Sequence, residues 1–427
     1  MTDVIIKPTS MFKGEIAAPS SKSYTHRMLV ASLLSDGKSI IEKPLVSDDT
    51  LATLEAVKAL GAKVKQNDVF WEIDGQRRPK APESLVDCRE SGTTLRFMIP
   101  VAALAHGNTT FLMGQSLSRR PIAPLLRSLK QLGVKTQYKP PLIMVYGKGI
   151  EGGKTTLRGD ISSQFVSGLL FACPLAKSST EITLTEPVES KSYIEMTAEV
   201  LSKHAIKVRL SEDNSYIHIQ GGQNYQPFTH KVPGDFSSAA YILAAAAITS
   251  SKVRIYNLDC ASKQGDKAIL EILKRSGVSV SIGEDFVEVE GSLSKSMDID
   301  ACDIPDLVPA CTAIACYTTG TSIIRNAERL RYKESNRLKA IYTEFRKMGA
   351  DIDVKGDGLL IRGPCRLHGA VINPHGDHRI AMACTAAALG AEGDTAIINA
   401  ECVRKSYPKF FEDLHTLGAN IVGKLDW

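Results

Sequence analysis

Cations recur in this sequence where helices would start, and acids stand among them. PSSKSYTHR offers Lys22, Ser23 and Arg27, and SRRPIAPLL places Arg119 and Arg120 just before Pro121. RLRYKESNRLKA carries Lys333 and Arg337 four residues apart with Glu334 between them. GDHR sets Asp377, His378 and Arg379 against an apolar run, and VRKSYP adds Arg404 and Lys405. A helix N-terminus exposes N–H groups and the positive end of its dipole, so a Lys or Arg there is best tolerated where an anion is expected. Lys22, Arg27, Arg120, Arg337, Arg379 and Lys405 are suited to neutralise phosphate and carboxylate groups; Asp306 of DIPD, Glu334 and Lys22 are suited to move protons. Uncharged hydrogen-bonding stretches lie between these motifs. They are Gly92 in ESGTTLR, where a ligand can approach bare backbone, Ser162, Ser163 and Gln164 in GDISSQF, and Ser190 in ESKSY. Taken singly, Asp306 reads as an N-cap, Lys333 and Arg337 as one exposed helix face, and Arg120 as the mouth of a helix opened by Pro121. Capping alone does not explain why charge recurs at equivalent places.

Those places are set by an internal repeat. Amphipathic segments end in a glycine followed by a β-branched strand at Gly61, Gly133, Gly277 and Gly349. The first two lie 72 residues apart, the last two another 72, and the gap between the pairs is 144. The midpoint of that gap is Ala205, in the same pattern with the glycine lost, and a sixth copy ends at Gly418. Glycine suits a left-handed helix C-cap. Upstream in each unit lies an Ala-rich helix apolar all round, hence buried, preceded by one of the polar starts. Six such units split into two lobes of three, with Gly221–Gly222 and the following NYQPFTHK as the expected link.

Composition narrows the function classes. A net charge of +5, with 52 basic and 47 acidic residues, suits a small anionic substrate and lacks the concentrated basic face of a nucleic-acid binder, whose affinity would depend steeply on salt. Nine cysteines without a CxxC pair read as reduced thiols, and no spacing among them or the nine histidines suggests a metal site. There is no P-loop and no dinucleotide fingerprint, so no cofactor is expected. The first residues lack signal character and no apolar run is long enough to span a bilayer, which makes a cytoplasmic protein without membrane partners the expectation. No nucleic-acid partner is expected either, and the chain is expected to be a monomer, although nothing in the sequence sets its oligomeric state.

In their order and spacing, SKSxxxR, SGTTLR, RRPI, SSQF, GDFSSAAY, IPD, KESxR, DHRxAM and KSYP resemble the enolpyruvyl transferases, and within them the branch acting on shikimate 3-phosphate. The resemblance covers nearly the whole chain. It implies an α/β fold of two domains, each an inside-out α/β barrel of three βαβαββ units, with 16–230 as the first lobe and 1–15 plus 231–427 as the second. It implies transfer of the enolpyruvyl group of phosphoenolpyruvate to the 5-hydroxyl of shikimate 3-phosphate through a non-covalent tetrahedral adduct, with phosphate released. By motif, Lys22, Ser23, Arg27, Ser162, Ser163, Gln164, Ser190, Asp306 and Lys333 would hold shikimate 3-phosphate. Lys22, Gly92, Arg120, Gln164, Arg337, Arg379 and Lys405 would hold phosphoenolpyruvate. Asp306 would accept the hydroxyl proton, with Glu334 and Lys22 as proton donors to the methylene carbon. The sequence departs from many members at Tyr24, His26, Glu90, Arg329 and Asn336. The sister enzyme acting on UDP-N-acetylglucosamine has Lys-Asn at the first motif and a Cys before the RP pair; here the first motif is Lys22-Ser23, and QSLSRRP has no Cys.

Overall fold

The computed structural model describes residues 3–423. The chain forms two units: Ser21–Val232, and the residues up to Ser20 together with those from Pro233 onward. Twelve α-helices occur among the described residues. The first unit holds α1 (Lys22–Leu34), α2 (Asp48–Ala59), α3 (Gly92–Ala102), α4 (Ala123–Gln131), α5 (Ser163–Ala172) and α6 (Lys191–Lys203). The second holds α7 (Phe236–Ile248), α8 (Ile269–Arg275), α9 (Val308–Ala315), α10 (Arg337–Lys347), α11 (His378–Leu389) and α12 (Phe410–Thr416).

Each unit contains three four-stranded sheets of one design. A parallel pair comes first, and two antiparallel strands follow on the same side, as in Val86–Asp87, Gly107–Leu112, Leu142–Gly147 and Lys135–Lys139. The odd-numbered helices are the Ala-rich ones and are buried along nearly their whole length. With helices inside and sheets outside, each unit is an inside-out α/β barrel of three βαβαββ repeats. The even-numbered helices are only part-buried: α2 and α6 pack chiefly against the buried helices, while α4 and α10 also meet strands.

The helix-end glycines take the expected left-handed conformation, with φ of 104° at Gly61, 85° at Gly133, 102° at Gly277, 90° at Gly349 and 100° at Gly418. Ala205, which replaces glycine in the third repeat, keeps φ of 62°. The geometry of the repeat therefore persists where its sequence marker is gone, at a cost of about 1 kcal/mol for the Cβ.

Three sheets borrow strands from far along the chain. Lys13–Ala17 runs parallel to Lys252–Tyr256, and Val4–Ile6 pairs with both Thr395–Ile397 and Ile421–Gly423. Thr229–Lys231 runs parallel to Ile40–Glu42. These pairings place the divisions at Ser20/Ser21 and Val232/Pro233, whereas the sequence suggested cuts after residues 15 and 230. The stretch expected as a link after Gly222 is instead packed into its unit: the Tyr225 hydroxyl donates to the Phe171 carbonyl at 2.6 Å, and His230 is buried.

Candidate active site

In the Ser21–Val232 unit, the first turns of α1, α3 and α5 carry Lys22, Ser23, Gly92, Ser163 and Gln164. Ser21 caps α1, which puts Lys22 and Ser23 in its first turn. Lys22 Nζ lies 3.0 Å from Asp49, near the start of α2. Arg27, one turn further, is 2% exposed. It donates to Thr197 Oγ1 at 2.8 Å, to the Ser23 and Tyr193 carbonyls at 2.9 Å each and to Ser167 Oγ at 3.4 Å. Burial pushes its pKa down to about 10, so it remains a cation, and it ties α1 to α6. Ser190, at the entry to α6, is buried with φ of 56°.

Gly92 is the first residue of α3, behind the N-cap Ser91. A Cβ on Gly92 would lie 3.2 Å from Arg120 Nη1 and 3.6 Å from Arg96 Nη1, so two guanidinium groups flank bare backbone at a helix N-terminus. Arg120 donates to Ser116 Oγ at 3.1 Å. Arg96 donates to Gln164 Oε1 at 2.7 Å and to Ser162 Oγ at 3.4 Å, and Gln164 Nε2 donates to Thr93 Oγ1 at 2.8 Å. Ser162 caps α5, and Ser163 opens it. Gly92, Arg120, Ser162 and Gln164 are thereby brought together. Lys22, Ser23 and Arg27 stand on the neighbouring helix.

Arg120 does not sit where Pro121 suggested. Leu117–Arg119 is a 3₁₀ turn, and α4 begins at Ala123 with Pro124 at its second position. Pro121 belongs to the connecting loop, a use of proline as common as helix initiation. Glu90 is engaged by the loop that follows Met113. Its two carboxylate oxygens accept the Ser116 N–H at 3.2 Å and the Leu117 N–H at 2.9 Å, bracing the loop that carries Arg120.

In the other unit Asp306 lies at the centre of a charged cluster. Its carboxylate accepts from Arg337 at 2.9 Å, Arg379 at 3.2 Å and Lys333 at 3.3 Å. Arg337 also donates to Glu334 at 2.5 Å and, from Nε, to Asp377 at 2.9 Å. Asp377 caps α11 by accepting the Arg379 N–H at 3.0 Å. Lys405 Nζ donates to the Gly376 carbonyl, one residue before that cap, at 2.8 Å. Burial would raise the Asp306 carboxyl, but Arg379, Lys333 and Arg337 hold it well below the usual carboxylate range. Burial pushes Lys333 down to about 8, against the pull of Asp306.

Two local expectations fail in this cluster. Asp306 is not a helix cap; α9 starts at Val308 behind Leu307, and no side chain caps it. Lys333 and Arg337 do not share a helix, because Glu328–Tyr332 is 3₁₀ and α10 begins only at Arg337. They meet at Asp306 through a turn rather than through helical spacing. Arg96, Asp49 and Asp377 are the organisers absent from the sequence-based site. Arg96 had a local signal, standing one helical turn beyond Gly92, and Asp377 had one in the GDHR motif; Asp49 had none. Among the described residues, no cluster of His, Cys, Asp or Glu is placed to hold a metal, and no helix is long and apolar enough to cross a membrane.

Three cations and three carboxylates thus interlock around Asp306, while cations and helix N-termini gather at Gly92 in the other unit. Such groups bind anions and can take and give protons. Comparison with known proteins points the same way. The family described as EPSP synthase (3-phosphoshikimate 1-carboxyvinyltransferase) matches residues 6–414. A 3-phosphoshikimate 1-carboxyvinyltransferase of Methanocaldococcus jannaschii is 42% identical over 98% of this chain and 99% of its own. One of Methanocella arvoryzae is 45% identical over 96% and 97%. The solved structure of EPSP synthase from Acinetobacter baumannii superposes with a TM-score of 0.83 at 26% identity, covering 99% of this chain and 100% of that one.

Proposed function

Because the chain belongs to the EPSP synthase (3-phosphoshikimate 1-carboxyvinyltransferase) family, it transfers the enolpyruvyl group of phosphoenolpyruvate to the 5-hydroxyl of shikimate 3-phosphate and releases phosphate, and we propose a division of labour among its residues. Lys22, Ser23, Arg27, Ser162, Ser163, Gln164, Ser190, Asp306 and Lys333 hold shikimate 3-phosphate. Lys22, Gly92, Arg120, Gln164, Arg337, Arg379 and Lys405 hold phosphoenolpyruvate. The observation that carries this reading is Asp306, a part-buried carboxylate kept ionised by three cations.

Asp306 accepts the proton of the 5-hydroxyl as its oxygen adds to C2 of phosphoenolpyruvate. Lys22 and Glu334 deliver a proton to the methylene carbon, giving the tetrahedral adduct. Loss of a proton from that carbon and cleavage of the C2–O bond to phosphate then restore the double bond. The charges around Asp306 tune this step. Anionic substrate groups on Arg337, Arg379 and Lys333 offset the cations that hold the carboxyl pKa down, so the base strengthens as the substrates arrive. Held by three cations beforehand, it stays unprotonated until then.

We further propose that the protein acts as a monomer in the cytoplasm, the compartment supported by nine cysteines, none in a disulfide. The function is tested by following phosphate release from the two substrates. The assignment of Asp306 is tested by Asp306→Asn, which is expected to retain substrate binding and lose turnover; unchanged turnover would refute it.

A further inference from the structure

Within the Ser21–Val232 unit, one buried chain of hydrogen bonds runs from α1 through α2 to the first turn of α3. His26 is 1% exposed, and its Nδ1 lies 2.6 Å from Thr53 Oγ1. Thr53 Oγ1 lies 2.7 Å from Thr94 Oγ1. Thr94 Oγ1 donates to Ser91 Oγ at 2.7 Å, and Ser91 Oγ, the cap of α3, accepts the Thr94 N–H at 3.2 Å.

A hydroxyl has one proton to give. With the Thr94 proton spent on Ser91, Thr94 accepts from Thr53, and Thr53 in turn accepts from His26. The chain is therefore directional and fixes the imidazole as the Nδ1–H tautomer. Burial pushes the pKa of His26 down to about 3, so the ring is neutral. Its Nε2 is left as a buried acceptor with no protein partner. An unmet buried acceptor costs about 1–3 kcal/mol, so packing alone does not account for an imidazole at this place. What it contributes is the donor that orients the hydroxyls.

We propose that His26 is a positioning residue for phosphoenolpyruvate recognition: acting through Thr53 and Thr94, it holds Ser91 and so sets the Gly92 backbone beside Arg120. This rests on the reading that Gly92 and Arg120 contact phosphoenolpyruvate. Without the His26 donor, the Thr53 and Thr94 hydroxyls are free to turn. Thr94 has an alternative acceptor in the Asp49 carbonyl, 3.4 Å away, and taking it releases Ser91. Asparagine at position 26 places an amide N–H as far from Cβ as the imidazole Nδ1, whereas leucine places a methyl there.

The test is steady-state kinetics on the full chain with each substrate varied separately. His26→Leu and Thr53→Val are expected to raise KM for phosphoenolpyruvate by about fivefold or more, as for a lost buried hydrogen bond, with KM for shikimate 3-phosphate changed less than about twofold. His26→Asn is expected to recover most of the loss. Arg120→Ala, run in parallel, removes the direct contact. If it raises KM for phosphoenolpyruvate while His26→Leu and Thr53→Val do not, the inference is wrong and the underlying reading stands. If Arg120→Ala also leaves that KM unchanged, the reading fails and takes the inference with it. Equal rises in both KM values, or no recovery by asparagine, would mark His26 as merely structural and overturn the proposal. Should His26→Leu not fold, Thr53→Val, which exchanges one hydroxyl for a methyl, decides the matter.

Discussion

Arg337 and Asp377 form a fully enclosed pair: Nε and Nη2 of the guanidinium donate to the two carboxylate oxygens at 2.9 and 3.2 Å, with side chains 1% and 0% exposed. The same guanidinium reaches Asp306 and Glu334. Asp377 thus holds, from behind, the cation that touches both proposed proton-transfer acids. Asp377→Ala would leave a buried cation short of its partner and α11 without its cap. A loss of about 3–5 kcal/mol in unfolding free energy is expected, measured by urea denaturation. A loss below about 1 kcal/mol would show that the pair adds little.

Asp306 and Glu334 are expected to separate chemistry from binding. Asp306→Ala and Glu334→Ala should each lower kcat by about 10²–10⁴, the usual range for a lost general acid or base. Calorimetric affinity for shikimate 3-phosphate should fall far less. Comparable losses in turnover and affinity would make these side chains binding or structural groups.

Gly92→Ala tests the close approach at the head of α3. The added methyl meets Arg120 Nη1 at 3.2 Å and Leu117 Cδ1 at 3.7 Å, tight enough to displace a guanidinium but not to break a helix. KM for phosphoenolpyruvate should rise about fivefold to fiftyfold, corresponding to about 1–2 kcal/mol, with thermal stability nearly unchanged. A stable variant with native KM would remove Gly92 from the substrate contacts.

Buried titratable groups set the pH range of stability from both sides. Burial pushes His204 down to about 4 and His26 and His230 down to about 3 from 6.5; His204 and His230 meet through their Nε2 atoms at 2.7 Å. The unfolded chain therefore takes up these protons first. The stability they contribute is whole above about pH 6.5 and drains away as pH falls toward 4 and 3. Asp266 has the opposite sign. Burial and the Asp306 charge push its carboxyl up to about 7 from 3.8, so its contribution is whole below 3.8 and is lost as pH rises through about 7. Unfolding free energy measured from pH 8 to 4.5 should show both limbs. His230→Phe should flatten the acid limb and Asp266→Asn the neutral one; slopes unchanged by either variant would exclude these groups as the cause.

The repeat was legible because its signals are local. A left-handed helix end calls for glycine, and a helix enclosed by sheets calls for alanine and other small apolar side chains. Gly61 and Gly133 therefore mark the period as plainly in the sequence as in the fold. Ala205 shows the limit, since the surrounding repeat imposes the conformation without the residue that usually signals it. Of the candidate cations, Lys22, Arg337 and Arg379 do stand at helix starts, as their motifs suggested, but the partners they meet were not legible. Asp49 meets Lys22, and Asp377 meets Arg337, across 27 and 40 residues of chain, and no local pattern encodes such pairings. Pro121 and the Lys333–Arg337 spacing misled for a related reason: proline and a four-residue interval suit loops and turns as well as helices.

The borrowed strands impose an order of events on a growing polypeptide. Lys13–Ala17 finds its parallel partner only when Lys252–Tyr256 has been made, and Val4–Ile6 has no partner before Thr395–Ile397. Every sheet of the Ser21–Val232 unit, by contrast, is supplied from within that segment. During synthesis from the ribosome, its strand pairings can all form while the earliest strands still wait, unpaired, for sequence some 240 to 390 residues away. The beginning of this chain is among the last parts to find its place.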